Sequence, residues 1–184
     1  NRRYETYALV TGAASGMGRI YAIKLARMGY NVVIVDINAA GLAETAAKVK
    51  ETSEASVLEV VQDLSTMDAA DKVFEATEAA GCVVEVLVNN AGVMYCQGIA
   101  ETSERMLKLI MMVHMHTPMM LCRKYVGGMK ERGCGYILNI SSLAAWMSWP
   151  GIGMYGNTKM FVRNYSRELR IECQKTGVSV TNAY

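Results

Sequence analysis

Three glycines fall within eight residues at Thr11-Gly12-Ala13-Ala14-Ser15-Gly16-Met17-Gly18, between an apolar run that reads as a strand and a pattern that reads as a helix. That combination confines the chain here to a strand turning tightly into a helix N-terminus. Glycine permits the bend and lets a ligand approach where a Cβ would collide, while unpaired N–H groups and the helix dipole favour an anion. Alone, the spacing marks a plain tight turn as readily as a nucleotide site. The flanking sequence favours the nucleotide site. Residues 6–10 are β-prone and almost continuously apolar, as in a parallel strand covered on both faces. Ile20, Ile23, Leu25 and Ala26 then recur at roughly helical spacing, and Gly29 sits where a helix would end. Residues 31–36 make a second buried strand closing on Asp36, roughly twenty positions beyond the glycines, where a carboxylate accepts hydrogen bonds from an adenosine ribose. The unit reads as a dinucleotide site.

The same alternation continues to the end of the chain. Asn38 caps a helix running to Thr52, strand 56–61 follows and closes on Asp63-Leu64-Ser65, and a helix covers 67–80. Strand 83–88 ends in Asn89-Asn90-Ala91-Gly92, a long helical region spans 103–131, strand 135–140 precedes a helix over 153–175, and 178–183 is a sixth strand. Strands alternating with helices predict an α/β architecture: a Rossmann-type, doubly wound, mostly parallel sheet with helices on both faces and ligands at the carboxyl ends of the strands. Gly12, Asp36, Asp63, Asn89 to Gly92, and Ser142 each follow a predicted strand and so share one edge of that sheet.

A length of 184 residues and a hydrophobic content of 52% predict a single domain over 1–184 with a sizeable core. A formal charge of +2, with no basic run, gives nucleic acid or an anionic membrane nothing to bind. Cys82, Cys96, Cys122, Cys134 and Cys173 are irregularly spaced without a C-x-x-C pair, so they read as reduced thiols of a cytoplasmic protein. The most apolar helical stretch, 107–122, is interrupted by Lys108, His114, His116 and Pro118, so no membrane span is expected. The Met-rich segment 111–120 reads as a packed core or interface helix.

Tyr155 and Lys159 stand four residues apart, on one face of a helix. A free tyrosine titrates near pH ~10, so a phenol acting as base around neutrality needs a shift of about three units, or roughly 4 kcal/mol. A cation at about 4 Å, at an effective dielectric of roughly 20, supplies about that much. The phenol would then exchange a proton with an alcohol or carbonyl oxygen while hydride moves at the adjacent carbon. Taken by itself the pair also fits a solvated helix face. Ser142, at the end of a strand, adds a hydroxyl that can be aimed at the same substrate oxygen.

With these residues in view, the sequence resembles the short-chain dehydrogenase/reductase family over essentially its whole length. Thr-Gly-x-x-x-Gly-x-Gly stands at Thr11 to Gly18, the adenine-side acid at Asp63, Asn-Asn-Ala-Gly at Asn89 to Gly92, and Ser with Tyr-x-x-x-Lys at Ser142, Tyr155 and Lys159. The resemblance implies strand order 3-2-1-4-5-6 and an NAD(P)-dependent oxidoreductase interconverting an alcohol and a carbonyl. Tyr155 would be the general acid/base, Lys159 would also hold the nicotinamide ribose, and Ser142 would position the substrate carbonyl. The cofactor would rest on Gly12, Ser15, Gly16, Met17, Gly18, Asp36, Ile37, Asp63, Leu64, Asn90, Ala91 and Gly92, with Asn89 steadying the central strand. NADP-dependent members tend to carry a cation where this chain has Ser15 or Ile37, so NAD is expected rather than NADP. A dinucleotide-sensing, noncatalytic relative that regulates a partner is the alternative, and the intact Ser142, Tyr155 and Lys159 favour catalysis.

Two departures from the family pattern stand out. The family places an Asn in a Val-Asn-x-x-Gly context whose main-chain carbonyl holds a water of the proton relay; here the segment is Val113-His114-Met115-His116-Thr117. The resemblance then routes the relay through the His114 backbone. A metal is not expected, since His116 faces away from His114 on a helix. The seventh strand and substrate lid of the family are missing, so the natural polypeptide is expected to continue beyond Tyr184. Met94, Tyr95, Trp146, Trp149 and Met154 flank the reacting groups and read either as an apolar pocket for a hydrophobic small-molecule substrate or as packing against a neighbouring subunit. The resemblance implies a homodimer or homotetramer assembled through 106–120 and 155–170.

Overall fold

A strand buried on both faces needs apolar residues at nearly every position, and Tyr7–Thr11 (β1), Asn31–Asp36 (β2) and Val84–Asn89 (β4) meet that demand. In the computed structural model, which describes residues 4–184, they occupy the middle of a parallel sheet. Val57–Val61 (β3) lies at one side, Gly135–Ile140 (β5) and Val178–Ala183 (β6) at the other, and the strand order is β3-β2-β1-β4-β5-β6, as expected. Successive strand residues point to opposite faces and build two cores. Ala8, Val10, Val32, Ile34, Val86 and Val88 pack beneath helices Gly16–Arg27 (α1) and Ala39–Thr52 (α2). Leu9, Val33, Leu87, Ile137 and Val180 face the side covered by Ala69–Ala79 (α3), Thr117–Arg132 (α5) and Met154–Glu172 (α6).

The long helical region expected over 103–131 runs from 104 to 132 and changes its winding inside. Glu104–Met111 (α4) and α5 are joined by five π-helical residues, Met112–His116, and the Thr117 N–H donates to the Met112 carbonyl five residues back. Pro118 accounts for part of this. Having no N–H, it cannot give the His114 carbonyl the donor that an α-helix would place there, so the helix meets His114 under altered winding.

A row of amides closes the carboxyl end of the sheet. Asn89, Asn139 and Asn182 are register partners on β4, β5 and β6. Asn89 Nδ2 donates to Asn139 Oδ1 at 2.8 Å and Asn139 Nδ2 to Ser166 Oγ at 3.0 Å. Burial pushes the adjoining Cys122 thiol up to about 12, so it stays neutral. Asn139→Leu removes the shortest hydrogen bond of the buried Asn89 amide, leaving it the longer contacts with the Pro118 carbonyl and Cys122 Sγ, and is expected to cost about 2 kcal/mol. The measurement is the midpoint of chemical denaturation, which drops while the slope stays constant; an unmoved midpoint refutes the row's contribution.

Candidate active site

The turn after β1 is shaped by collisions that only glycine avoids. Gly12 has φ +66°, and a Cβ on it would lie 2.8 Å from Ala91 Cα; one on Gly18 would strike the Gly12 carbonyl oxygen. Gly16, also at positive φ (+53°), faces open space. Ser15 caps α1 without a side-chain bond, so the first-turn N–H groups are offered outward, a polarity suited to phosphate. These observations fit a pyrophosphate.

Several residues absent from the expected site hold that turn in place. Thr11 Oγ1 accepts from the N–H groups of Asn90 (3.1 Å) and Ala91 (3.0 Å), and Asn90 Nδ2 donates to the Thr11 carbonyl at 3.1 Å. Asn90 therefore braces the turn from beneath. Arg19 donates to the carbonyls of Ala14 and Gly41, to Thr45 Oγ1 and to Glu44, while Thr45 Oγ1 donates to the Ala13 carbonyl. Asp36 accepts from the Ala14 N–H at 3.1 Å and, through its other oxygen, from the Asn38 N–H at 3.0 Å. An Arg one residue beyond the last glycine was the available signal for this bracing.

A cavity of about 740 Å³ opens along the carboxyl edge, lined by Gly12, Asp36, Ile37, Asp63, Leu64, Ala91 and Gly92 among others. Ser15, Gly16 and Met17 are exposed on the surface at the start of α1. Asp63 accepts from the Ser65 hydroxyl and N–H, which hold its carboxyl below the usual range.

Where Gly92 lines this cavity, Lys159, Tyr155 and His114 come together. Lys159 is 5% exposed, and its Nζ donates to the Ile140 carbonyl at 3.1 Å. Burial pushes its pKa down to about 8. The ammonium lies 5.8 Å from the centre of the Tyr155 ring, and the His114 ring meets Tyr155 edge-on at 5.6 Å. A Cβ on Gly92 would lie 3.1 Å from His114 Nε2 and 3.7 Å from Lys159 Nζ, so the missing side chain is what admits both. His114 is buried, and that burial, together with the Lys159 charge, pushes its pKa down to about 3. Ser142 lies two residues beyond β5 and accepts from the Ala144 N–H at 3.2 Å, capping the short turn Leu143–Ala145. That turn sits on the first turn of α6: a Cβ on Gly156 would lie 3.1 Å from the Ala144 carbonyl oxygen.

The five flanking apolar residues do not share one pocket. Trp146 packs under the Arg163 guanidinium at 3.7 Å and against Tyr184 at 5.1 Å. Trp149 lines a separate cavity of about 40 Å³, Tyr95 is buried, and Met94 is 82% exposed. Among the described residues, no group of three or more His, Cys, Asp or Glu is placed to hold a metal, and no helix is long and apolar enough to cross a membrane.

The family model described as short chain dehydrogenase matches residues 6–184. A very-long-chain 3-oxoacyl-CoA reductase of Mycosarcoma maydis is 30% identical over 96% of this chain and 51% of its own length. A 17-beta-hydroxysteroid dehydrogenase type 3 of Danio rerio is 31% identical over 95% of this chain and 58% of its own. The chain thus spans little more than half of either relative. Among solved structures, the L-sorbose reductase of Gluconobacter frateurii, complexed with NADPH and L-sorbose, superposes with a TM-score of 0.90 at 29% identity, covering 98% of this chain and 68% of that one.

Proposed function

The chain belongs to the short-chain dehydrogenase family, and from that premise we propose that it is an NAD(P)-dependent oxidoreductase interconverting a small-molecule alcohol and its carbonyl. The observation that carries this reading is the buried Lys159 ammonium beside the Tyr155 ring, next to Gly92, which lines the same cavity as Asp36. Tyr155 exchanges a proton with the substrate oxygen, and the Ser142 hydroxyl donates a hydrogen bond to that same oxygen. Lys159 keeps positive charge near the phenol and holds the nicotinamide ribose. The backbone carbonyl of His114, denied an α-helical donor by Pro118, accepts from the water that relays protons to Lys159. A bound nicotinamide supplies or removes the hydride.

NAD is the proposed cofactor. The Asp36 carboxylate is fixed by two N–H donors and would repel a 2′-phosphate, and Arg19, the nearest basic residue after the turn in sequence, is paired with Glu44 at 2.9 Å. The test follows absorbance of reduced nicotinamide with the purified chain against secondary alcohols and ketones, using both cofactors. Turnover with NAD is expected; none with either cofactor overturns the reading. Asp36→Asn keeps an acceptor and removes the charge, so preference for NAD over NADP falls on the order of tenfold or more. An unchanged preference would refute Asp36 as the discriminator.

A further inference from the structure

The His114 side chain joins two parts of the site with fixed hydrogen-bond polarity. Its Nε2 lies 2.9 Å from the Val93 N–H, which can only donate. Its Nδ1 lies 3.0 Å from Thr158 Oγ1, and that hydroxyl spends its single proton on the Tyr155 carbonyl at 2.8 Å. The donors therefore run in one direction: Val93 N–H to Nε2, Nδ1–H to Thr158 Oγ1, Thr158 O–H to the Tyr155 carbonyl. Only a neutral ring with its proton on Nδ1 satisfies both ends. Lys159 and Tyr155 are the ionisable groups that flank it.

The ends of this chain lie on elements remote in sequence. Gly92 and Val93 line the cavity on the loop after β4, whereas Tyr155 and Thr158 lie on the first turns of α6. The two ring nitrogens are distinct in reach. Asn at this position reproduces the near one, toward Thr158, and Gln the far one, toward Val93.

We propose that the His114 imidazole is a positioning residue, a neutral linker that fixes the first turn of α6, and with it the Tyr155 hydroxyl, against the Gly92–Val93 backbone. The proposal rests on the reading of Tyr155 and Lys159 as the reacting pair. It assigns the histidine a task for its side chain, separate from any role of its backbone carbonyl.

Turnover supplies the first test. His114→Phe and Thr158→Val are each expected to lower kcat on the order of 10- to 100-fold with KM for the alcohol nearly unchanged. The double variant falls no further than the worse single one, because both cut the same chain. His114→Gln or His114→Asn recovers part of the loss seen with Phe. A wild-type kcat in His114→Phe, or losses that multiply in the double variant, overturns the linker.

A second test does not depend on turnover. The chain holds two histidines, so ¹⁵N-labelled imidazole resonances are assigned by the loss of one set in His114→Gln. The His114 ring is expected to stay neutral with its proton on Nδ1 from about pH 5 to about 8, and its Nδ1 signal to move in Thr158→Val. A ring that protonates in that range, or carries its proton on Nε2, overturns the linker. Where the wild type turns over nothing, the proposed function fails and these resonances alone decide the linker.

Discussion

Tyr155→Phe will lower kcat by roughly 10²- to 10⁴-fold while the chain folds and binds the dinucleotide as before. The substitution removes one hydroxyl and leaves the ring, so its edge contact with His114 and its position beside Lys159 persist. What disappears is the group that exchanges the proton as hydride moves. Residual activity reflects binding and orientation by the remaining residues, Ser142 among them. The measurement is steady-state turnover beside fluorescence titration of the reduced dinucleotide. A Phe variant keeping more than about a tenth of wild-type kcat, with its cofactor affinity intact, removes Tyr155 from the chemistry.

The second large effect is on stability in acid. His114 is buried as a neutral ring, with a pKa pushed down to about 3 by its burial and by the Lys159 charge, against 6.5 for the free side chain. Between those values the unfolded chain binds a proton at this position and the folded chain does not. Stability from this group is therefore fully present above pH 6.5 and is lost as pH falls from there towards about 3. The gap amounts to roughly 5 kcal/mol at its limit. Denaturation midpoints measured at intervals from neutral to acid pH should fall steeply in the wild type and less steeply in His114→Gln, which cannot titrate. Carboxylates titrating in the same range affect both proteins alike, so the difference isolates the histidine. Parallel pH profiles for the two proteins would show that this ring protonates in place.

The sheet was legible because its signals are local and redundant. β1, β2 and β4 are short apolar runs ended by Gly12, Asp36 and Asn90, and burial on both faces follows from that composition. The pairing of Lys159 with Tyr155 was legible too, since four residues is about one helical turn. The π-helical segment was not. Apolar residues persist through 107–122 at helical spacing, and Pro118 carried the only local hint, that residue 114 would lack its donor. The braces around the turn were hidden for a different reason. Arg19, Thr45 and Thr158 each tie a helix to groups on another element, and one polar residue on a helix looks the same whether it faces water or a carbonyl. For Trp146, proximity in sequence to Ser142 left a substrate pocket and a subunit contact equally open, and its packing under Arg163 on α6 was not legible from spacing.

Strands that are apolar on both sides are poor at telling one alignment from another, because a two-residue slip swaps Val for Leu at little cost. The asparagines at positions 89, 139 and 182 remove that degeneracy. Asn89 reaches Asn139, and Asn139 reaches Ser166 beside Asn182, only when β4, β5 and β6 stop level with one another, and any slip drives a carboxamide among aliphatic side chains. The row thus works as an alignment mark for folding: it sets how far each strand travels before its loop begins, and hence the height at which Ser142 emerges relative to Gly92.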